Sequence, residues 1–170
     1  AEKENEPLLD KLLSYHKKSI WLLDRNDILH LMQIWEHSFE CSILVKGHNG
    51  MATDIFNKLL SLTLYPELQR FTKSIASALR HISGEEKQDT LWMEYCACLG
   101  LETSGKYEEA LKQYKIVWEK QVKHVGQYHS HTLLTQEQIA STLCRMKKWE
   151  ESLTKHQEVY SLMLKHLPKD

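Results

Sequence analysis

A stretch of sixteen residues that occurs twice limits this chain to a repeat architecture. GKYEEALKQYKIVWEK runs from Gly105 to Lys120, and KKWEESLTKHQEVYSL runs from Lys147 to Leu162. Lys106, Tyr107, Glu108, Glu109, Ala110 and Leu111 fall on Lys148, Trp149, Glu150, Glu151, Ser152 and Leu153, a step of 42 residues. Val117 and Trp118 fall on Val159 and Tyr160 in the same register, and upstream Thr90, Leu91, Ala97, Cys98 and Leu101 fall on Thr132, Leu133, Ile139, Ala140 and Leu143. A unit that keeps aromatic, acidic, small and aliphatic positions in order over such a period is a helix, a tight turn and a second helix.

Composition agrees with an all-α chain. Three Pro and six Gly among 170 residues cluster between the helix-periodic runs instead of interrupting them. Twenty-two basic and 23 acidic residues leave a net charge of −1, so no broad electrostatic footprint draws the chain to nucleic acid or anionic lipid. No apolar run approaches the ~18 to 20 residues that span a bilayer, and the N-terminus is charged where a signal peptide is apolar. Cys41, Cys96, Cys98 and Cys144 lack the spacing of a disulfide framework or a zinc ribbon. A reducing, cytoplasmic location is therefore expected. The chain starts at Ala1 without an initiator Met and stops at Leu167-Pro168-Lys169-Asp170, partway through a linker like the earlier one. An excerpt of a longer array is expected.

In chain order, residues 1–47 read as an atypical helix pair. Pro7 suits a first helical position, and Leu8, Leu9, Leu12, Leu13, Ile20 and Leu23 predict a helix of about four turns. Asp24-Arg25-Asn26 breaks it, with Asn26 or Asp27 expected to cap the next helix. Ile28, Leu31, Met32, Trp35, Phe39 and Ile43 form the stripe of that second helix, which Gly47-His48-Asn49-Gly50 ends. Residues 48–170 then read as three helix pairs, at 51–82, 90–124 and 132–166. The first is the weakest copy: Thr53, Leu60, Ser61 and Leu64 are aligned 79 residues before Thr132, Ile139, Ala140 and Leu143, and Tyr65-Pro66-Glu67-Leu68 stands for Tyr107-Glu108-Glu109-Ala110 after a shortened turn. Arg80-His81-Ile82, Lys123-His124-Val125 and Lys165-His166-Leu167 recur at steps of 43 and 42, where basic side chains suit the negative end of a helix dipole.

These features resemble the tetratricopeptide repeat (TPR), in the longer-linker form of kinesin light chains. The small residue in the first helix, Cys98 and Ala140, carries the resemblance. So do the Gly-Lys-aromatic-acid-acid-small-Leu turn and a linker in which Gly126, His129 and Thr132 match the family's Gly, His and Thr. The short repeat of this class runs about 34 residues, and the extra length here lies in the linker. HEAT and armadillo repeats have a similar period but lack this turn. The resemblance implies antiparallel helix pairs stacked as a right-handed superhelix.

Catalytic and metal chemistry find little support. Cys96 and Cys98 sit about 200° apart on a helix, which does not suit one tetrahedral ion, and of His124, His129 and His131, crowded in one linker, His129 matches the family's linker His and His124 a recurring helix end. No Gly-x-Ser-x-Gly, phosphate-binding Gly-rich loop or His-Glu-x-x-His occurs. Glu108-Glu109 and Glu150-Glu151 open helices, where carboxylates suit the positive dipole end. No catalytic residue, metal or cofactor is expected.

The aromatic positions divide. Trp118, Trp149, Tyr107 and Tyr160 fall on packing positions of the repeat, and Trp21 and Trp35 are expected in the core or between repeats. Trp92 lies on the helix face that lines the concave surface in the TPR family. In that register the resemblance places Trp92, Tyr95, Leu99 and Glu102 of one repeat, and Leu134, Glu137, Ser141 and Arg145 of the next, along an inner groove. Aromatic anchors among charges of both signs suit a partner peptide or helix. The chain departs from kinesin light chains where a mid-helix Asn pair clamps cargo peptide, since Tyr95-Cys96 and Glu137-Gln138 stand there.

The expected function is a non-catalytic interaction scaffold that binds a protein or peptide in this groove, or a segment of its own parent chain. One alternative is the sensor or regulatory repeat region of a multidomain signalling ATPase. Another is an RNA-binding TPR protein, against which the near-zero charge and Glu102 and Glu137 argue. Self-association is a further expectation, because Val159, Leu162 and Met163 of the last helix have no following repeat to cover them.

Overall fold

Asp24 opens the first helix of the structure, a computed structural model that describes residues 20–40 and 49–166, with side chains described except at 35, 37–40 and 49–51. Its carboxylate Oδ1 accepts hydrogen bonds from the backbone N–H groups of Asn26 at 2.8 Å and Asp27 at 2.9 Å. The cap is thus Asp24, not Asn26 or Asp27. Those two already lie in the first turn, where their N–H groups are the orphan donors that a cap satisfies.

The described helices are α1 (Arg25–Glu40), α2 (Asn49–Ser61), α3 (Tyr65–Ser83), α4 (Gln88–Thr103), α5 (Tyr107–Val125), α6 (Ser130–Arg145) and α7 (Trp149–His166), preceded by a 3-10 turn at Ile20–Leu22. No strand occurs among the described residues. The fold is all-α, built of antiparallel helix–turn–helix pairs. The chain divides into two compact units, Ala1–Gly84 and Glu85–Asp170. Of the expected helix through Leu8 to Leu23, only residues 20–23 are described. The Trp35 and Phe39 side chains, Ile43 and the Gly47-His48 stop lie outside the described residues.

In the first unit, Ile28, Leu31 and Met32 of α1 are buried with Ile55, Phe56 and Leu59 of α2 and Leu68, Phe71, Ile75 and Leu79 of α3. Pro66 sits in the first turn of α3, where its missing N–H costs nothing. The buried Lys58 donates its ammonium to the Trp21 carbonyl at 2.9 Å and ties the 3-10 turn to α2. Trp21, expected in the core, is 58% exposed, and its hydrogen bond to α2 is made by its carbonyl.

Three turns join the paired helices with one backbone pattern. Leu64 N–H donates to the Leu59 carbonyl, Lys106 to Leu101, and Lys148 to Leu143, each at 3.0 Å. Thr63, Gly105 and Lys147, on donors one position earlier, have φ of 56°, 77° and 62°. Every pair is spaced by 42 residues, so the first turn is not shortened. The alignment of Thr53, Leu60, Ser61 and Leu64 with the residues 79 positions on is therefore wrong. Ser61 drew that alignment as a small residue, but the position equivalent to Cys98 and Ala140 is Phe56. Gly84 and Gly126 follow α3 and α5 in the same 42-residue register, which places His81 one position early relative to His124.

In the second unit the linker is tied at each end. The Thr132 hydroxyl donates to the Gly126 carbonyl at 2.8 Å, and His129 Nδ1 accepts from His131 N–H at 3.2 Å. The His166 ring at the end of α7 stacks on Tyr128, with centroids 3.8 Å apart. Lys123 forms an ion pair with Glu86 at 3.3 Å and His124 Nε2 lies 3.0 Å from the same carboxylate, so the α5 terminus carries side-chain contacts in addition to its dipole. The small position works as a point of close approach: the Ser152 hydroxyl donates to the Ala140 carbonyl at 2.8 Å, and both residues are buried.

The last helix differs from expectation. Trp149 and Tyr160 are 60% and 65% exposed, whereas their counterparts Tyr107 and Trp118 in α5 are half-buried. Val159, expected to be uncovered, is 1% exposed. The uncovered stripe of α7 consists of Trp149, Leu153, Tyr160 and Leu164, while Leu162 and Met163 are half-buried. The 3.6-residue period places Val159 about 100° from the centre of that stripe.

Candidate functional site

α4 and α6 are the first helices of successive pairs, and each carries four of the eight residues expected to line a groove. Trp92 is half-buried and stacks on Tyr95, with ring centroids 5.2 Å apart and planes at 22°. The His131 ring of α6 also lies 5.2 Å from Trp92, tilted by 32°. Tyr95 is buried and packs obliquely on Tyr114 of α5 at 5.7 Å. Burial pushes both phenols well above their usual titration range. Leu99, Leu134, Glu137 and Ser141 are half-buried, and the Ser141 hydroxyl donates to Glu137 at 3.1 Å.

Glu102 and Arg145 face one another. Glu102 is 3% exposed, and its Oε2 accepts from the Tyr114 hydroxyl at 3.1 Å and from Gln138 Nε2 at 2.7 Å. Arg145 Nε lies 2.9 Å from Oε1, an ion pair whose angle falls outside that of a hydrogen bond. A carboxylate buried in this way costs several kcal/mol unless it is paired and hydrogen-bonded. These contacts supply that compensation and join α4, α5 and α6. The accessible part of the site is then Trp92, Leu99, Leu134, Glu137, Ser141 and the 59%-exposed side chain of Arg145.

Glu137 also borders a depression of about 370 Å³ between α6 and α7, with His156, Gln157, Val159, Tyr160 and Met163. A second depression, of about 470 Å³, has Leu111, Ile139 and Leu143 at its base and Lys115, Lys148 and Lys155 beside Glu150 and Glu151.

No family model and no curated protein matches this sequence. Its structure is similar to a crystal structure of a Podosopora anserina protein named for kinesin light chain and carrying nearly identical TPR-like repeats. The TM-score is 0.60 at 13% identity, over 96% of this chain and 87% of that one. The fold is a TPR-like repeat fold. A further crystal structure of the same description has a TM-score of 0.47 at 12% identity, over 99% of this chain and 90% of that one.

Within the TPR-like fold three residues of the site escaped sequence reasoning. His131 packs at a tilt against Trp92, Tyr114 and Gln138 hold Glu102, and none of the three stands out in the repeat alignment. Burial, and then neighbouring His129, push the His131 pKa below its ordinary 6.5. Cys96 and Cys98 are both buried, with thiol pKa values raised by burial, and Cys98 donates to the Glu94 carbonyl at 3.1 Å. Thiols held neutral in this way are poor nucleophiles and metal ligands. Among the described residues no three His, Cys, Asp or Glu side chains converge on one point. No described helix is long and apolar enough to cross a membrane.

Proposed function

We propose that this chain is a non-catalytic protein–protein interaction scaffold whose α4/α6 face, in repeats 90–124 and 132–166, holds a partner peptide or helix. One observation carries the reading: Trp92 stacks on Tyr95 and lies 5.2 Å from the His131 ring while part of its surface stays accessible. An aromatic side chain ordered before binding loses little entropy on contact, and Trp is the side chain most enriched among interface residues that dominate affinity. Leu99 and Leu134 extend the apolar surface, and Glu137 and the outer edge of Arg145 set register and orientation. The neutral buried thiols suit a reducing, cytoplasmic location.

A pull-down from cell lysate tests the proposal, with the chain compared against folded Trp92→Ala and Glu137→Arg variants. Trp92→Ala is expected to weaken partner binding by about 1 to 3 kcal/mol in a titration while helical content by circular dichroism stays unchanged. Equal recovery of every partner by parent and variants overturns the assignment of the groove.

A further inference from the structure

We propose that residues 126–132, which lead from α5 into α6, form a proton-operated catch on the Trp92 face. With His129 and His131 neutral, the first turn of α6 is closed and the His131 ring lies against Trp92. A proton taken up by this pair of imidazoles opens the turn and withdraws that ring. The consequence for a partner rests on the reading of the α4/α6 face given above, whereas the catch is a property of the chain alone.

The cap of α6 sets the proton requirement. His129 is its N-cap, with φ of −65° and ψ of 142°, and Nδ1 accepts the His131 N–H at 3.2 Å. An imidazole nitrogen accepts only while it carries no proton, so the cap needs the neutral ring with its hydrogen on Nε2. In the imidazolium both nitrogens donate, and the His131 N–H then meets a donor where its acceptor stood. A carboxylate cap such as Asp24 at α1 undergoes no such change near neutral pH.

The same two residues hold a cluster of rings. His131 lies 5.2 Å from Trp92 and, edge to face, 5.2 Å from His129, and both imidazoles are half-buried. A cation on either ring loses hydration, and a second cation would stand one ring away from the first. The Trp92 face attracts an imidazolium, but only while the ring stays in its half-buried place; opening the turn gives the charge both water and distance from its neighbour. The titratable groups on the surrounding elements are Asp89 and Tyr95 on α4, Lys123 and His124 on α5, which are turned to Glu86, and His166 on α7, which is stacked on Tyr128. Burial and then His129 disfavour the His131 proton, and no carboxylate offsets them among the described residues. The closed catch is therefore favoured at neutral pH and is lost as pH falls.

The start of α4 supplies the contrast. Counting back 42 residues, Lys87 and Asp89 stand for His129 and His131. Lys87 makes no side-chain bond at the α4 cap, and the linker there is held by Glu86 to Lys123 and His124. Protonation of His124 strengthens that contact, the opposite sign to the α6 cap. Acidification thus loosens the start of α6 and spares the start of α4.

NMR on the nitrogen-15-labelled 170-residue chain, taken from about pH 7.5 to about pH 5.5 with no partner present, tests the catch apart from the partner-binding reading. The backbone signals of residues 130–133 and the Trp92 indole signal should titrate together. Solvent exchange of the His131 N–H, corrected for the pH dependence of the exchange chemistry, should rise about fivefold, the factor that a helix cap contributes. The Asp89 N–H at the start of α4 should show no such rise. His129→Asn supplies a cap that takes up no proton and should hold the exchange at its neutral-pH rate. His131→Phe keeps a ring against Trp92 and should stop the indole signal from titrating, while circular dichroism reports unchanged helical content in both variants. A pH response that survives the combined His129→Asn and His131→Phe variant overturns the proposal. So does an indole signal that titrates with no change in exchange at His131, which would be a ring taking up its proton inside a turn that stays closed.

Discussion

The α4–α5 and α6–α7 pairs share one backbone turn and one register, yet the first is closed by a neighbouring helix and the second presents the same face to solvent. Tyr114 and His156 make the difference concrete. Tyr114 is fully buried, packs on Tyr95 and donates to the buried Glu102, whereas His156 borders an open depression. Equivalent positions in a repeat thus carry unequal stability. In a solenoid, the free energy at each position depends on nearest-neighbour contacts as well as on the unit itself.

The largest expected effect breaks that contrast directly. Tyr114→Ala removes a buried aromatic ring and one donor to Glu102, and should destabilise the chain by about 4 kcal/mol in urea unfolding. His156→Ala, at the equivalent site, should cost under about 1 kcal/mol. Equal losses at the two sites would mean that α7 is as well covered as α5.

Gln138→Leu comes next. It deprives the buried Glu102 of its 2.7 Å donor and should cost about 2 kcal/mol. Converting Glu102 to Gln in the same chain should recover part of that loss, which a double-mutant cycle measures.

The turns sharpen the comparison at a smaller scale. Gly105 has φ of 77° with open space around the position a Cβ would take, so Gly105→Ala should cost about 1 kcal/mol from backbone conformation alone. Lys147 adopts φ of 62° with a side chain already present. Lys147→Gly should therefore stabilise, by roughly 0.5 kcal/mol. Thermal midpoints moving in opposite directions for the two variants are the expected result.

The smallest effect is electrostatic. The folded-state pKa of His131 is depressed by burial and by His129, so the folded chain binds this proton less readily than the unfolded chain. Its contribution to stability is fully present above the ordinary value of 6.5 and is lost as pH falls through the lower folded value. Proton NMR should find the His131 ring titrating below 6.5, and a His131→Gln variant should show a shallower loss of stability on the acid side.

Legibility in the sequence followed the range of the forces involved. The 42-residue step, the turn into α5 and α7 and the Gly126–His129–Thr132 linker were readable because each depends on contacts within a turn or two of chain. The register of the first pair was not. Phe56 stands at its small position and Thr63 holds a left-handed turn, two substitutions that hide a repeat whose backbone hydrogen bonds are unchanged. The eight residues expected in a groove rest on resemblance, and the resemblance carries no information on which charges already have partners.

By itself, then, the sequence determined an all-α chain of helix pairs and where its second and third turns fall, because helical periodicity, left-handed turn positions and capping are local properties. Tertiary structure alone decided that Glu102 is a buried junction rather than an exposed charge, that Val159 is covered, and that Trp149 and Tyr160 are not. Those outcomes depend on which helix lies against which, and burial is a property of the packed neighbours rather than of the residue.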